Sequence, residues 1–192
     1  MGKNAIVSAA TSMPTLGILA PEKRGENFFI APAKLSDAPK IAKIVNAEAE
    51  LSGAVIKVTE AEVAGWISSG LSFVAKVGTE IVGHTAGYIW PKSGIAEHRA
   101  VVVLPEYRGN GINAMLTTVF MQRLIEQDPS ITIISLKNAN AHEAAKKAVV
   151  KSGFKPINVD SLPDEIFDGP ADRHTYTAYV YNYAEVKALA RA

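Results

Sequence analysis

The chain has 192 residues, of which 48% are hydrophobic and 20% charged, which excludes a disordered chain or a fibre and allows a sizeable buried core. Lys plus Arg number 20 and Asp plus Glu 19, a formal charge of +1, so no whole-molecule field exists for nucleic acid or an anionic membrane. Cysteine is absent, which excludes disulfides, thiolate metal sites and a catalytic thiol.

Residues 1–27 lack sustained periodicity and carry Pro14, Gly17, Pro21 and Gly25. They read as an N-terminal extension, either flexible or laid on the fold or on a partner, ahead of one domain over 28–192. The apolar stretch near Lys3 is interrupted by Thr11, Ser12 and Pro14 too early for a signal peptide. No apolar run approaches the ~18 residues that a membrane-spanning helix needs. The expectation is a soluble, cytoplasmic protein with neither membrane nor nucleic acid as partner. His84, His98, His142 and His174 have no metal-like pair spacing, so no metal is expected.

From Phe28 the signals become regular. Residues 28–33 read as a short strand. Ser36 and Asp37 can cap a helix whose first turn suits Pro39 and whose inner face is Ile41, Ile44 and Val45. Thr59 with Glu62 is a capping-box pair ahead of Val63, Trp66 and Ile67, and Gly70 closes that helix. Strands over 71–77 and 81–89 flank Gly78-Thr79-Glu80, a hairpin signal. Residues 95–104 form a further strand, and its run Val101, Val102, Val103 suggests cover on both faces.

Pro105 stops that strand, and a strong helix follows. Ile112, Met115, Leu116, Val119, Phe120 and Leu124 make one continuous apolar stripe. Asp128-Pro129-Ser130 breaks it. Residues 131–136 read as a buried strand. A helix over 141–152 turns Ala144, Ala145, Ala148 and Val149 inward and is closed by Gly153. Strands over 155–159 and 175–183 end the pattern. This order predicts an α/β protein, helices and strands mixed around one sheet.

The chemistry concentrates where the strand of 95–104 gives way to the long helix: Pro105, Glu106, Tyr107, Arg108, Gly109, Asn110, Gly111, Ile112, Asn113, Ala114. The first turn of a helix presents unpaired N–H groups and the positive end of its dipole. Gly109 and Gly111 let a phosphate approach the backbone, and Arg108 adds a fixed charge. A pyrophosphate cradle is one reading; a tight turn that needs glycine for backbone reasons alone is the other. Gly109-x-Gly111-x-x-Ala114 also satisfies the dinucleotide pattern, but three strands precede it and no acidic ribose ligand follows the next strand, where Lys137 and Asn138 stand. No Lys-Ser/Thr follows the glycines, so a Walker loop fails.

The segment resembles the central motif of the GNAT superfamily of N-acetyltransferases, R/Q-x-x-G-x-G/A after a V-x-P-E-Y-type strand end. Arg108-x-x-Gly111 matches, and Asn113 stands where Gly or Ala is usual. Downstream, Ala145, Lys151 and Gly153-Phe154 resemble the family's helix-plus-Gly-Phe block. The resemblance implies a mostly antiparallel central sheet with one splayed parallel strand pair and helices on both faces. It implies acetyl-CoA as co-substrate and transfer of acetyl to a primary amine of a small molecule or peptide; homodimers are common among proteins resembling this one.

In such proteins the strand backbone, here at Val101 and Val103, bonds the pantetheine and the acyl carbonyl, and the amides from Gly109 to Ala114 hold the diphosphate. Glu97, eight residues before Pro105, stands where many relatives carry a glutamate near the acceptor amine, so it is the candidate base; an exposed strand carboxylate is the other reading. Its neighbour His98 should face the other side of the strand and pack. The family's acidic tyrosine on the second helix is replaced by Val149, and His142 stands in the usual place of an Asn. Tyr107, Tyr88 and His142 are the candidate replacement acids, unless the thiolate leaves without one. Asn138 and Asn140 either bond pantetheine or cap the helix.

With no cysteine for an acyl-enzyme, direct attack in a ternary complex is expected. The missing tyrosine and Asn113 leave a non-catalytic acyl-CoA-binding or sensor module as the alternative. The run Asp160, Asp164, Glu165, Asp168 and Asp172 is either a draw for a cationic amine or a solvated connection. Tyr179, Tyr181 and Tyr183 share one face of the last strand, which sheet packing or an interface explains most simply.

Overall fold

The computed structural model describes residues 28–138, 141, 143–167 and 170–181. The expected extension over 1–27, together with Asn140, His142, Asp168 and Tyr183, lies outside the described residues.

A short strand, β1 (Phe28–Pro32), leads through a 3-10 turn (Leu35–Asp37) into α1 (Ala38–Ser52). The Asp37 carboxylate accepts from the Lys34 N–H at 3.0 Å and from the Lys76 ammonium at 2.9 Å, which pins the helix start to the neighbouring strand. α1 buries Ile41, Ala42, Ile44 and Val45 and ends on Gly53 at φ +60°. α2 (Glu60–Ser68) carries both halves of its capping box: Glu62 N–H donates to Thr59 Oγ1 at 3.2 Å and Thr59 N–H to Glu62 Oε2 at 2.7 Å. Two orphan donors are satisfied by one pair of side chains, as the spacing predicts.

β2 (Ser72–Val77) and β3 (Glu80–Trp90) form the expected hairpin, with Gly78 at φ +58° in the first central position of the turn. β4 (Ile95–Val103), α3 (Ile112–Gln127), β5 (Thr132–Asn138), α4 (Glu143–Lys151), β6 (Lys155–Ile157), α5 (Pro170–Arg173) and β7 (Tyr176–Tyr181) follow. The sheet order is β1-β2-β3-β4-β5-β7-β6, antiparallel throughout except between β4 and β5. α1 and α2 pack one face against Val74, Ile81, Ala86 and Val102. α3 and α4 cover the other, with Leu116, Phe120, Leu124, Val149 and Phe154 in the main core. Each fully buried side chain of this size contributes on the order of 2 kcal/mol.

Two features of β4 position the site. It pairs with β5 only where residues 95–97 meet 132–134. Beyond them β4 stays with β3 and β5 with β7, so the strands fork; Ser135 Oγ–H to His98 C=O at 3.2 Å is a last link across the opening. β4 is also bulged: Arg99 faces Ala86 and Val102 faces His84, leaving Ala100 and Val101 together opposite Thr85. Ala100 takes φ +50°, which costs about 1–2 kcal/mol for a residue with a Cβ. The His84 ring lies beneath, its Nδ1 at 3.1 Å from the Ala100 carbonyl and its Nε2 at 3.0 Å from Ser72 Oγ.

Two expectations are revised, and that for the α3 stripe is met with two further members. The Val101–Val103 run is not covered on both faces: only Val102 is buried, because the fork leaves the others on a cleft. On α3, Met115 and Val119 are half-buried, while Thr117 and Met121 join the buried face. On α4 only Val149 is buried; Ala144 is exposed and Ala145 and Ala148 are half-buried, since they line the same cleft instead of a solid core.

Candidate functional site

The fork opens two clefts that share Ala54, Val55 and Lys137 as walls. The larger holds about 770 Å³ between the turn after β4, the start of α3, the end of α1 and α4. Val101, Val103, Tyr107, Arg108, Gly109, Gly111, Ile112 and Asn113 border it, while Asn110 and Ala114 of the expected cradle are not among the residues that line it. Gly109 and Gly111 sit at φ +78° and +71°, and a Cβ on Gly109 would meet nothing within 4 Å. Gly111 is the N-cap of α3 with no side-chain cap. The N–H groups of Ile112, Asn113 and Ala114 make no backbone hydrogen bond among the described residues. The helix therefore presents its positive end to an open, Cβ-free approach.

The side chains of the turn brace it. Arg108 donates from Nε to the Val103 carbonyl at 2.9 Å and pairs with Glu48 of α1. Asn110 Nδ2 donates back to the Tyr107 carbonyl at 3.1 Å. Thr117 Oγ1–H donates to Asn113 Oδ1 at 3.3 Å, turning that amide along the helix. The Tyr107 hydroxyl donates to Glu80 at 3.3 Å; desolvation and that carboxylate push the phenol's pKa up, so it holds its proton.

His98 borders the larger cleft and packs 4.8 Å from Phe120. A Cβ on Gly87 would fall 2.3 Å from the Phe120 ring, so that glycine makes room for the ring. Burial pulls the His98 pKa down to about 3 and that of His84 to about 4. Both are neutral structural rings near pH 7. Glu97, its neighbour on β4, faces the other cleft, as alternation along a strand requires.

The smaller cleft holds about 410 Å³ and is bordered by Trp66, Tyr88, Trp90, Glu97, Arg99 and Tyr176. Glu97 is only 6% exposed. Burial pushes its pKa up, against the pull of Arg99, whose Nη1 lies 3.6 Å from Oε2, and of Lys137. Tyr88 stands opposite Glu97 in the strand register. Of the acidic run, Glu165 and Asp172 border this cleft, whereas Asp164 pairs with buried Arg173 and the Asp160 N–H donates to the Asn158 side chain at 3.0 Å. The run thus divides between the cleft and the local structure of its own loop.

Asn138 also borders the smaller cleft, while Asn140 and His142 lie outside the described residues. Tyr179 is buried and Tyr181 packs 5.5 Å from Phe154, consistent with sheet packing. Sequence reasoning passed over Arg99, Tyr176 and above all Lys137. The signal for Lys137 was a single cation ending the otherwise buried run of 131–136. Among the described residues no group of three His, Asp or Glu is placed to hold a metal, and no helix is long and apolar enough to cross a membrane.

The model of the acetyltransferase (GNAT) family matches residues 41–154 of the chain. No curated protein sequence matches it. Among solved structures the chain is similar to N-acetylglutamate synthase from Neisseria gonorrhoeae complexed with coenzyme A and N-acetyl-glutamate, at 16% identity and TM-score 0.65, over 80% of this chain and 34% of that one. It is similar to an N-acetyltransferase from Staphylococcus aureus Mu50, at 21% identity and TM-score 0.63, over 82% and 99% of the two chains. A third is ribosomal-protein-alanine N-acetyltransferase from Brucella melitensis, at 19% identity and TM-score 0.60, over 79% and 96%. The match therefore spans about a third of the synthase, and at these identities the likeness is one of fold.

Proposed function

The chain belongs to the acetyltransferase (GNAT) family, and from that premise we propose that it moves an acetyl group from acetyl-CoA to a primary amine of a small molecule or peptide by direct attack in a ternary complex. The observation that carries this reading is the fork itself. One cleft is walled by the glycine turn and the start of α3, the other by a buried carboxylate, and they meet at Val55 and Lys137.

The residues present fit acetyl-CoA. The cleft is large, its inner turn lacks Cβ atoms where a diphosphate would lie, and its donors are backbone amides that suit an anion. The amides of residues 109–114, braced by Arg108, would hold the diphosphate. The edge of β4 at Val101 and Val103, left open by the fork, would bond the pantetheine and polarise the acyl carbonyl by fixed dipoles. Acetyl-CoA supplies the activated acyl group.

An alkylammonium with a pKa near 10 cannot attack until it loses a proton. Glu97 in the smaller cleft would take that proton, directly or through water. Its burial raises its basicity towards the working pH, which improves a general base. The departing thiolate has the ordinary stability of its class and can leave without a dedicated acid. Tyr107, protonated and bordering the larger cleft, and Tyr88, bordering the smaller, are the candidate acids among the described residues.

A second reading, a non-catalytic acyl-CoA-binding module, draws on one observation: buried Val149 borders the larger cleft where relatives would place a phenol. Incubation with acetyl-CoA and a panel of polyamines, aminosugars, amino acids and short peptides, read as free coenzyme A thiol, separates the two. Amine-dependent thiol release is expected. Calorimetric coenzyme binding with no amine-dependent release would favour the module, and no binding at millimolar coenzyme would sink both.

A further inference from the structure

Lys137 lies near the end of β5, past the point where β4 turns away, and borders both clefts. It is only 7% exposed. Among the described residues its ammonium has no hydrogen bond and no ion pair within 4 Å. The nearest compensation is the field of Glu97, and that carboxylate is already paired with Arg99 at 3.6 Å. Two cations thus share one buried anion on the wall of the smaller cleft. A buried charge without a partner opposes folding, and burial indeed pulls the Lys137 pKa down. An anionic ligand in the cleft would supply the partner that the fold does not.

We propose that Lys137 docks a carboxylate of the acceptor, so that the acceptor is a small amine that also carries an acid group, an amino acid in the simplest case. This rests on the acyl-transfer reading in taking the smaller cleft as the acceptor's. An α-amino acid sets its ammonium and carboxylate on one carbon, and Glu97 and Lys137, each within the other's field, both border the cleft that would receive them. The ammonium would face Glu97 and the carboxylate Lys137, leaving the side chain among Trp66, Tyr88, Trp90 and Tyr176. A volume of 410 Å³ accommodates an amino acid. A simple alkylamine would satisfy Glu97 and leave Lys137 as it is.

The test compares the 20 standard amino acids with amines that lack the carboxylate, such as L-phenylalanine with 2-phenylethylamine and L-leucine with 3-methylbutylamine. Both binding to the protein in saturating coenzyme A, by calorimetry, and kcat/KM with acetyl-CoA are measured. At least one amino acid should exceed its decarboxylated partner by ~10-fold or more in affinity, as a hydrogen-bonded charge pair would give. In Lys137→Met that preference should collapse towards one, and Lys137→Arg should keep part of it. The thermal midpoint of Lys137→Met should rise, because an unpartnered buried charge has gone, a result that a purely structural lysine would not give. Equal binding of both members of every pair, a preference that survives Lys137→Met, or no binding by any of them overturns the proposal. Carboxylate-selective binding without acetyl transfer would count against the acyl-transfer reading and leave this one standing. Acetylation of carboxylate-free amines alone would do the reverse.

Discussion

Along the larger cleft the groups proposed to bind are backbone groups, of residues 109–114 and of the β4 edge; along the smaller they are side chains gathered from β3, β4, β5, α5 and β7. The first arrangement asks little of side-chain identity beyond the absence of a Cβ, so it suits a handle common to every turnover. The second depends on which charges and rings happen to converge, so it suits the part of the reaction that differs between proteins of one fold. Substitutions on the two sides should therefore separate: turnover and acceptor choice on one, coenzyme affinity on the other.

Glu97→Gln gives the largest expected effect. Loss of a positioned general base should lower kcat by about 100-fold to 1,000-fold while coenzyme affinity, measured by calorimetry, stays within about twofold. Only the ionised carboxylate can accept a proton, and burial raises its pKa above the ordinary carboxylate value. In the parent protein kcat/KM should therefore rise with pH through that raised pKa and then level off, and the variant should lose this limb. The same shift means that Glu97 favours folding when protonated, an advantage lost as pH rises through its folded pKa. Coenzyme affinity falling in step with turnover would break the division between the clefts.

Gly111→Trp probes the other side. An indole at the N-cap of α3 would occupy the approach to the first-turn amides, and coenzyme affinity should fall by about 10-fold to 100-fold, a loss of roughly 1.4–2.8 kcal/mol. Gly111 stands at φ +71°, so any side chain there also strains the backbone by about 1–2 kcal/mol. Gly111→Ala carries the strain without the bulk and serves as the control, with circular dichroism confirming the fold of both. Unchanged affinity in the tryptophan variant would remove the cradle and with it the assignment of the larger cleft.

The contrast between the clefts also explains what could be read from the sequence. Capping by Thr59 and Glu62, the Gly78 turn and the apolar face of α3 depend on residues a few positions apart, and they were legible. So was the glycine turn between β4 and α3, because its glycines sit next to the strand end and the helix start in the chain. The bulge was not: Ala100 adopts φ +50° only because His84, sixteen residues earlier, and the partner strand hold it there. Lys137 reads as an ordinary cation until the fold buries it where the two clefts meet. Arg108 reads as a free charge for phosphate, yet Glu48, sixty residues before it, engages it.

That pairing supplies the smallest and most discriminating effect. Glu48 is 14% exposed on its side chain and Arg108 is 44% exposed, so the ion pair contributes no more than about 1 kcal/mol to folding. Its consequence for binding is electrostatic. Both residues border the larger cleft, and the carboxylate neutralises the cation nearest the glycine turn while repelling an incoming diphosphate. Glu48→Gln should therefore tighten coenzyme binding by about threefold at low salt, with the gain fading as ionic strength shortens the screening length below about 10 Å. Arg108 would keep its bond to the Val103 carbonyl and so remain in place to face the anion. If affinity instead falls, Arg108 serves the cleft only by bracing α1 against the turn, and the larger cleft recognises its anion through backbone amides alone.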